Sequence, residues 1–544
     1  TDVGAPVWRA TLMCAAYLLT RLLYRGRAML NSAGAAALAL LIYDPRQILT
    51  ASFQMTFLCV LVIAGVGIPM LQRTSQLYKP ALRNWDSNDY AAKLAPKVGQ
   101  FRVELEWISG RLAVFLGESW SRRIVCSAVS LVFAAWELVL ISAVMQMGLA
   151  LPMAFYFHRA TTLGLPANLM VVPLTQLMMP AAITALGVGY IWPWLAKAPA
   201  MVTALAVHGI TGTVRGMGSL QSADFRVAVP SLLMILLAAG ALIAAMWGAH
   251  RHKTLALEGL AAMLAASLAL AFRAPSPQIR PGVLEITSID VGEGDSTLLI
   301  TPQGRTLLID AGGPIGPAAS QFDFGEDVVS PYLWSRGISR LDAVAFTHAH
   351  SDHIGGIGAV LRNFRPKELW VGLEPPSAIL SNVLATAQAL EIKVVRRWEG
   401  DRFEFGGAQF DVLYPARDAV MTDRPRNNDS MVLRAGYGQT SALLEGDAEK
   451  RVERYVAARH PARASLLKVG HHGSSNASTA ELIEAVQPQF AVISVGAANS
   501  FGLPRLETLS RLAAAGARVY RTDLDGAVTF YLDGQSVTAS AGLP

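Results

Sequence analysis

Three histidines and one aspartate lie between positions 348 and 353, a density that points to metal binding. His348, His350, Asp352 and His353 directly follow the apolar run DAVAF, which is typical of a buried strand. Residues two apart in an extended segment point the same way, so His348 and His350 should project together. Imidazole and carboxylate groups without a cysteine favour zinc, manganese or iron. The alternative, a solvated polar loop, fits this density of ligand-type side chains poorly.

Two further groups of this kind follow other apolar runs. His471 and His472 come after SLLKVG, and Asp447 ends ALLEGD. A carboxylate at a strand end can bridge two metal ions, which together can activate a shared water. Alone, GDAE would be an ordinary strand end with a helix cap. Beside the histidine clusters the ligand interpretation is favoured, and either His471 or His472 would satisfy it.

These residues occupy the less apolar half of an unevenly composed chain. The 544 residues are 52% hydrophobic and 16% charged, with a mean hydropathy of +0.37, whereas soluble proteins carry about 25% charged residues. Positions 1–275 hold 21 basic and 10 acidic residues, and the remainder holds 25 and 30. This division excludes a single soluble domain and indicates a basic membrane half joined to a slightly acidic soluble half.

Residues 1–273 are predicted to form a polytopic helical membrane domain of about eight helices, since a span needs about 20 mostly apolar residues. The polar insert 73–123 is predicted to form amphipathic surface helices, with partner binding as the alternative. The eight apolar segments are 10–20, 28–43, 47–72, 138–158, 160–196, 198–214, 227–250 and 259–272.

Basic stretches at 21–27, 73–123 and 251–253 set the orientation under the positive-inside rule. They place the soluble half on the non-cytoplasmic side of the membrane. Glu137, in FAAWELVL, is either functional or part of a structural pair, because a carboxylate in a span is costly. Pro166, Pro173 and Pro180 within 160–196 favour broken helices lining a cavity, with a re-entrant hairpin or simple kinks as the alternatives.

The Pro-rich segment 274–282 is predicted to be a linker. From 283 to 544 short β-rich runs alternate with helical stretches, which predicts a layered α/β domain.

The soluble half resembles the metallo-β-lactamase fold. LLIDAGG, HAHSDH, EGD and HHGS occur in the order of that fold, and DVGEGDS at 290–296 is similar to the DVGQGDS signature of the competence branch. In the membrane half, RATLM, SFQMTF and LPANLMVVPL resemble segments of the competence domain. Together the chain resembles the ComEC-type competence family. Counterparts of that family's N-terminal helices and OB-like domain are not found, so an upstream portion is expected to be missing.

The resemblance implies an αββα sandwich with two divalent metal ions, zinc or manganese, at one edge. It makes Asp295 and Ser296 residues of the substrate edge, Asp310 a support behind the site, and Asp352 a ligand that also orients the attacking water. Asn428 stands where many relatives of the fold have a third histidine. The implied ligands are His348, His350, Asp352, His353, Asp447 and one of His471 or His472.

One departure from the family pattern concerns proton transfer. The pattern Asn-x-Tyr-Gly-His-Pro is replaced by Asn499-Ser500-Phe501-Gly502-Leu503-Pro504. Leu503 therefore replaces a histidine that would reach the site, which leaves metal binding intact and puts the catalytic rate in doubt.

The resemblance implies a channel for DNA uptake in natural transformation, in the bacterial inner membrane. Its metal-dependent nuclease domain would receive duplex DNA and degrade one strand while the other passes through the membrane half. A DNA receptor and a cytoplasmic motor are the implied partners. The alternatives are a transporter whose soluble domain binds DNA without cleaving it, and a membrane-tethered hydrolase of small molecules, because one fold hosts many chemistries.

Overall fold

A computed structural model describes residues 5–22, 29–220, 223–227, 229–272, 277–314, 322–497 and 499–542. The chain divides into two compact units, Thr1–Ala274 and Pro275–Pro544. The first residues of the predicted linker 274–282 fall in the segment 273–276, outside the described residues. Most of the predicted basic loop 21–27 lies outside them as well.

The first unit is helical apart from one pair of short antiparallel strands. These strands are β1 (Arg159–Thr161) and β2 (Asp224–Arg226). The helices are α1 (Ala5–Leu22), α2 (Met29–Tyr43), α3 (Ala51–Val62), α4 (Ile68–Arg73), α5 (Ser75–Tyr78), α6 (Asn88–Ala92), α7 (Pro96–Leu116), α8 (Glu118–Tyr156), α9 (Gly164–Ile191), α10 (Lys197–Gly218), α11 (Leu232–Arg251) and α12 (Lys253–Phe272).

Five helical segments of the described residues are long and apolar enough to cross a membrane. They are Ala51–Arg73, Glu118–Tyr156, Gly164–Ile191, Leu232–Arg251 and Thr254–Phe272. The predicted count of about eight also includes α1 and α2, which are shorter, and α10; for these three, spanning stays a prediction. Continuous helix at the predicted positions establishes the polytopic helical character of this half.

The prediction of broken helices at 160–196 is wrong for most of that stretch. Helix α9 continues from Gly164 to Ile191 with Pro173 and Pro180 inside it. Each proline removes one backbone donor, but the long apolar helix keeps its remaining hydrogen bonds on both sides.

Glu137 of α8 has partners from the polar insert. Ser75 Oγ donates to Glu137 Oε1 at 2.7 Å, and Lys79 Nζ donates to Oε2 at 2.9 Å. The sequence left Glu137 as either a functional residue or part of a structural pair, and the structure shows the pair.

The second unit contains two large sheets. The strands are β3 (Leu284–Ser288), β4 (Thr297–Ile300), β5 (Thr306–Ile309), β6 (Ala343–Ala345), β7 (Glu368–Val371), β8 (Lys393–Arg396), β9 (Arg402–Phe405), β10 (Ala408–Tyr414), β11 (Val432–Tyr437), β12 (Thr440–Leu444), β13 (Leu466–Lys468), β14 (Phe490–Ile493), β15 (Arg518–Arg521), β16 (Val528–Leu532) and β17 (Val537–Ala541). One sheet has the order β17-β16-β3-β4-β5-β6-β7-β8, and the other β15-β14-β13-β12-β11-β10-β9.

Helices cover both sheets. They are α13 (Ser330–Ser335), α14 (Ser351–Ile354), α15 (Ile357–Phe364), α16 (Ala378–Ala389), α17 (Lys450–Arg459), α18 (Ala480–Val486), α19 (Leu506–Ala514) and α20 (Thr522–Asp525). The strands alternate between two apolar layers: Leu298 and Ile300 of β4 pack with the helices, while Leu299 between them packs in the core that both sheets share. A strand buried on both faces is continuously apolar. The predicted αββα sandwich is therefore confirmed.

Candidate metal centre

The site is assembled at one edge of the two sheets, where several strands end. Strands β5, β6 and β7 are parallel neighbours in one sheet, and β12, β13 and β14 are parallel neighbours in the other. The carboxyl ends of parallel strands meet at the same edge, where α/β proteins place their ligands. Asp310 follows β5, the first histidine cluster follows β6, Asp447 follows β12, and the second cluster follows β13.

Asp310 supports the first histidine cluster from behind, as predicted. Its Oδ1 accepts from the Thr347 backbone N–H at 2.8 Å, and its Oδ2 accepts from Thr347 Oγ1 at 2.7 Å. The same Oδ2 lies 2.8 Å from His353 Nδ1. Asp310 adopts a φ of 60°, a left-handed conformation that aspartate tolerates better than most residues. The carboxylate thereby orients the His353 ring so that its other nitrogen faces the site.

Four of the predicted ligands come together in one group. One ligand atom from each of Asp352, His353, Asp447 and His472 lies within 4.8 Å of the others. His353 Nε2 is 3.3 Å from Asp447 Oδ1, and His472 Nε2 is 3.5 Å from Asp352 Oδ2. The His472 ring is held from the far side, because its Nδ1 lies 2.9 Å from the Ser494 carbonyl oxygen.

The donor set fits a divalent metal ion. His353 Nε2, His472 Nε2 and Asp447 Oδ1 are all buried and have no hydrogen-bond partner. Buried polar atoms are rarely left unpaired, so three of them facing a common point require an explanation. Two imidazole nitrogens with carboxylate oxygens form a usual ligand set for zinc or manganese. We conclude that these residues can hold such an ion.

Carboxylates dominate the electrostatics of this four-residue group. Burial by itself lowers the pKa of His472, but Asp447, Asp352 and Asp295 raise it to about 9. Burial also opposes protonation of His353, yet Asp447 and Asp310 hold its pKa well above the usual value. Conversely, burial raises the pKa of Asp447, and the two rings pull it well below its usual range. The carboxylates are thus ionised and attract positive charge, which a bound cation supplies in place of protons.

His348 and His350 lie next to this group. The fully buried His348 ring is 4.2 Å from the His353 ring, measured between centroids. Its Nε2 lies 2.9 Å from His350 Nδ1, and His350 Nε2 lies 3.2 Å from the Pro425 carbonyl oxygen. These two histidines are therefore placed as donors for a second ion, which stays a prediction.

His471 and His472 point to different surroundings because of the backbone geometry at this turn. Both have positive φ values, 47° and 51°, so the chain turns sharply between the two rings. His472 joins the four-residue group, whereas His471 is partly exposed, with Nδ1 3.3 Å from Glu449 Oε1 and Nε2 4.0 Å from Asp447 Oδ2. The two side chains therefore have different environments.

Asn428 makes two hydrogen bonds to Glu449, the glutamate that His471 contacts. Its Oδ1 accepts from the Glu449 backbone N–H at 3.2 Å, and its Nδ2 donates to Glu449 Oε2 at 3.3 Å. Both ends of the amide are used by these contacts, which hold the Asn428 side chain against Glu449.

Asp295 and Ser296 each have a partner inside the domain. Ser296 is fully buried and its hydroxyl donates to the Asp310 carbonyl oxygen at 3.1 Å. Asp295 is also buried, in an ion pair with Lys468 Nζ at 2.7 Å. Both side chains thus lie buried beside the ligand residues, and their predicted roles at the substrate edge stay predictions.

Leu503 lies in a loop that is hydrogen-bonded to the segment of the second histidine cluster. Asn499 brackets its backbone, accepting from Leu503 N–H at 2.9 Å and donating to its carbonyl oxygen at 2.7 Å. The Arg505 N–H donates to the carbonyl oxygen of Gly473, beside the second histidine cluster, at 2.9 Å. The Leu503 side chain packs against apolar residues. As a hydrocarbon it has no proton to transfer.

Sequence reasoning missed Thr347, Lys468 and Ser494. Lys468 had a detectable signal, a lone charge inside the apolar run SLLKVG. The backbone contact of Ser494 had none, because any residue type could make it.

Comparisons with known proteins agree with this architecture. Residues 1–252 match the family model "Competence protein", and residues 289–497 match "Metallo-beta-lactamase superfamily". ComE operon protein 3 of Bacillus subtilis is 27% identical over 72% of this chain and 51% of its own length. Competence protein ComA of Neisseria gonorrhoeae is 31% identical over 47% of this chain and 33% of its own length. The chain thus spans about half or less of these relatives.

Among solved structures, the metallo-β-lactamase fold protein YhfI from Bacillus subtilis is 14% identical to this chain. The match covers 47% of this chain and 100% of that one, with a TM-score of 0.31.

Proposed function

We propose that this chain, which matches the competence protein model over residues 1–252 and the metallo-β-lactamase model over residues 289–497, takes DNA up through the membrane and hydrolyses phosphodiester bonds. Its relatives bear competence names, and the five apolar helices provide the membrane part. In this proposal one strand passes through the membrane half while the other is degraded. The protein resides in the bacterial inner membrane, and its C-terminal domain receives duplex DNA on the non-cytoplasmic side.

The observation that supports hydrolysis is the set of buried, unpartnered ligand atoms on His353, Asp447 and His472. Zinc or manganese bound there would supply Lewis acidity, polarising a phosphoryl oxygen and lowering the pKa of water. Asp310 and the Ser494 carbonyl oxygen hold the two rings in place. Asp352, whose side chain is 18% exposed, is the most accessible carboxylate of the group and would orient the attacking water.

Two of the basic side chains near the site are already paired with carboxylates. Lys468 is buried in its pair with Asp295, and Arg426 makes an exposed pair with Asp423. Proteins that bind DNA usually present a basic face. DNA would therefore be held mainly at the metal ions, which neutralise phosphate charge themselves, and delivered by the membrane half or by a receptor. A cytoplasmic motor would draw the transported strand.

A second candidate is a domain that binds DNA without cleaving it. Leu503 favours this alternative, because it offers no group for proton transfer to the leaving oxygen.

The test is cleavage of end-labelled single- and double-stranded DNA by the full chain in detergent, with added manganese or zinc. We expect Asp447→Asn to reduce the rate by about a thousandfold, the order of effect of removing a group that stabilises transition-state charge. Asp418→Asn, the same chemical change at an exposed position, should leave the rate unchanged. Absence of metal-dependent cleavage, or equal cleavage by both variants, would refute the nuclease and favour binding alone.

Uptake is tested separately in transformable cells. Under this proposal Asp447→Asn cells still import labelled DNA but fail to release nucleotides from the second strand. A hydrolase of small molecules unrelated to transformation would leave DNA import unaffected when the whole gene is deleted.

A further inference from the structure

Lys468 is a buried lysine whose charge the metal centre described above does not use. It is the last residue of β13, and the second histidine cluster follows it three residues later. Its Nζ lies 2.7 Å from Asp295 Oδ1 and donates to Asp295 Oδ2 at 2.9 Å, and both side chains are 4% exposed. A buried ion pair is weak evidence for stability, because removing two charges from water costs about as much as their attraction returns. A role other than stability is therefore to be expected.

Asp295 lies beside two of the four grouped ligands. Its backbone N–H donates to the Asp352 carbonyl oxygen at 3.2 Å. The preceding residue has to be glycine for this approach, since a Cβ on Gly294 would lie 2.4 Å from the same oxygen. On its side chain, Asp295 Oδ1 lies 3.9 Å from His472 Nδ1. A movement of about 1 Å would bring these two atoms to the length of a hydrogen bond.

The two histidines of the group have different acceptors behind them. His353 Nδ1 lies 2.8 Å from a carboxylate oxygen of Asp310, whereas His472 Nδ1 lies 2.9 Å from the carbonyl oxygen of Ser494. A carboxylate is the stronger acceptor of the two, and the acceptor behind a metal-binding histidine fixes the orientation of its ring. His472 thus keeps the weaker acceptor although a second carboxylate lies nearby.

We propose that Lys468 is a positioning residue of the metal centre, which holds the Asp295 carboxylate away from His472. The ammonium contacts both oxygens of that carboxylate, so the His472 ring stays on the Ser494 carbonyl oxygen with its Nε2 directed at the other ligands. Without the ammonium, Asp295 would accept from His472 Nδ1 and turn the ring out of this orientation. The inference rests on the proposed metal site and is independent of whether that site cleaves DNA.

The experiment measures metal binding to the metal-stripped full chain in detergent. Zn²⁺ affinity is obtained by competition with a coloured chelator, and the visible absorption of bound Co²⁺ reports the geometry of its ligands. We expect Lys468→Met to weaken Zn²⁺ binding by about 10–100-fold, as the loss of a group behind the ligands does, and to change the Co²⁺ spectrum. Lys393→Met, the same change at an exposed position of β8, is the matched control and should bind both ions as the unmodified chain does.

A second substitution separates this role from packing. Asp295→Asn in the Lys468→Met background removes the carboxylate that would capture His472. The Zn²⁺ affinity and the Co²⁺ spectrum should therefore return close to those of the unmodified chain. If Lys468→Met does not fold, Lys468→Gln takes its place, because glutamine still donates to Asp295 but has no charge. The same rescue by Asp295→Asn is then expected.

Two results would overturn the positioning role. One is an unchanged Zn²⁺ affinity in the Lys468 variant, and the other is a loss of affinity that Asp295→Asn does not reverse. Either result leaves the metal centre standing as long as Asp447→Asn weakens Zn²⁺ binding. If Asp447→Asn instead binds Zn²⁺ as the unmodified chain does, the proposed metal centre itself is refuted.

Discussion

Apolar side chains differ in their exposure between the two units of this protein. In the second unit, Leu299 of β4 is fully buried between two sheets, whereas in the first, Leu186 of α9 is 78% exposed. The protein interior is the only apolar environment available to the second unit, but a membrane offers the first an apolar solvent. Hydrophobicity therefore determines packing in the second unit, whereas in the first unit it determines both a packed core, which includes Val62 and Val144, and the helix surfaces left to lipid.

The polar groups show the same contrast. In the second unit Asp310 is 1% exposed and holds two residues of the histidine cluster. In the first, Glu137 pairs with Lys79, whose side chain is 42% exposed. Asp310 matters for the chemistry of the site, because its buried partners Thr347 and His353 cannot replace its hydrogen bonds with bonds to water.

The largest expected difference concerns a matched pair of leucines. Leu299→Ala should lower the free energy of unfolding by about 2–5 kcal/mol, because it leaves a cavity between the sheets. Leu186→Ala should change it by no more than about 0.5 kcal/mol, since it removes no packed neighbour. Thermal unfolding of the full chain in detergent checks both. A large effect of Leu186→Ala would show that α9 has a protein partner rather than lipid.

A smaller difference is expected for two carboxylates converted to amides. Asp310→Asn should weaken zinc or manganese binding by roughly 10–100-fold, because it removes the acceptor that orients His353. Glu137→Gln should leave metal affinity unchanged and destabilise the protein, because it leaves Lys79 without its charged partner beside a candidate span. Calorimetric metal titration and thermal unfolding measure the two effects. Equal metal affinity in Asp310→Asn and the unmodified chain would contradict the supporting role.

A third expected effect is the response of the metal centre to pH. Ligation requires neutral imidazole, and the His472 pKa is raised to about 9 in the metal-free site. Metal affinity should therefore rise with pH, by about tenfold per unit for each proton released, and the contribution of His472 should level off near pH 9. Isothermal titration in buffers of different ionisation enthalpy counts the protons. A flat profile below pH 9 would mean that the rings are already neutral.

The same shift has a consequence for the metal-free protein. Because the folded pKa of His472 exceeds the unfolded value, protonation stabilises the fold. That contribution is complete below about pH 6.5 and is lost as pH rises through about 9. The free energy of unfolding of Glu404→Gln, a change at an exposed position, should depend on pH as that of the unmodified chain does. His472→Ala should remove the part of this pH dependence that comes from His472.

Much of the site could be predicted because its ligand types stand together in the chain. The cluster from His348 to His353 needs no tertiary information to be recognised, and Asp310 was expected behind it. Ser296 could not be predicted correctly, because its motif indicates importance but does not tell a buried hydroxyl from an exposed one. The continuity of α9 through Pro173 and Pro180 was missed for a related reason. A proline removes a single donor, and whether the helix then breaks depends on its surroundings.

The sequence by itself determined the division into an apolar basic half and a β-rich half, the positions of the main helices, and the types of metal ligand. These properties depend on composition, periodicity and spacing along the chain. Tertiary structure alone decided that His472 rather than His471 joins Asp352, His353 and Asp447, and that Lys468 pairs with Asp295 beside them. Those outcomes depend on positive φ angles and on glycines that let distant strand ends approach within hydrogen-bonding distance. Neither can be read from the separation of residues along the chain.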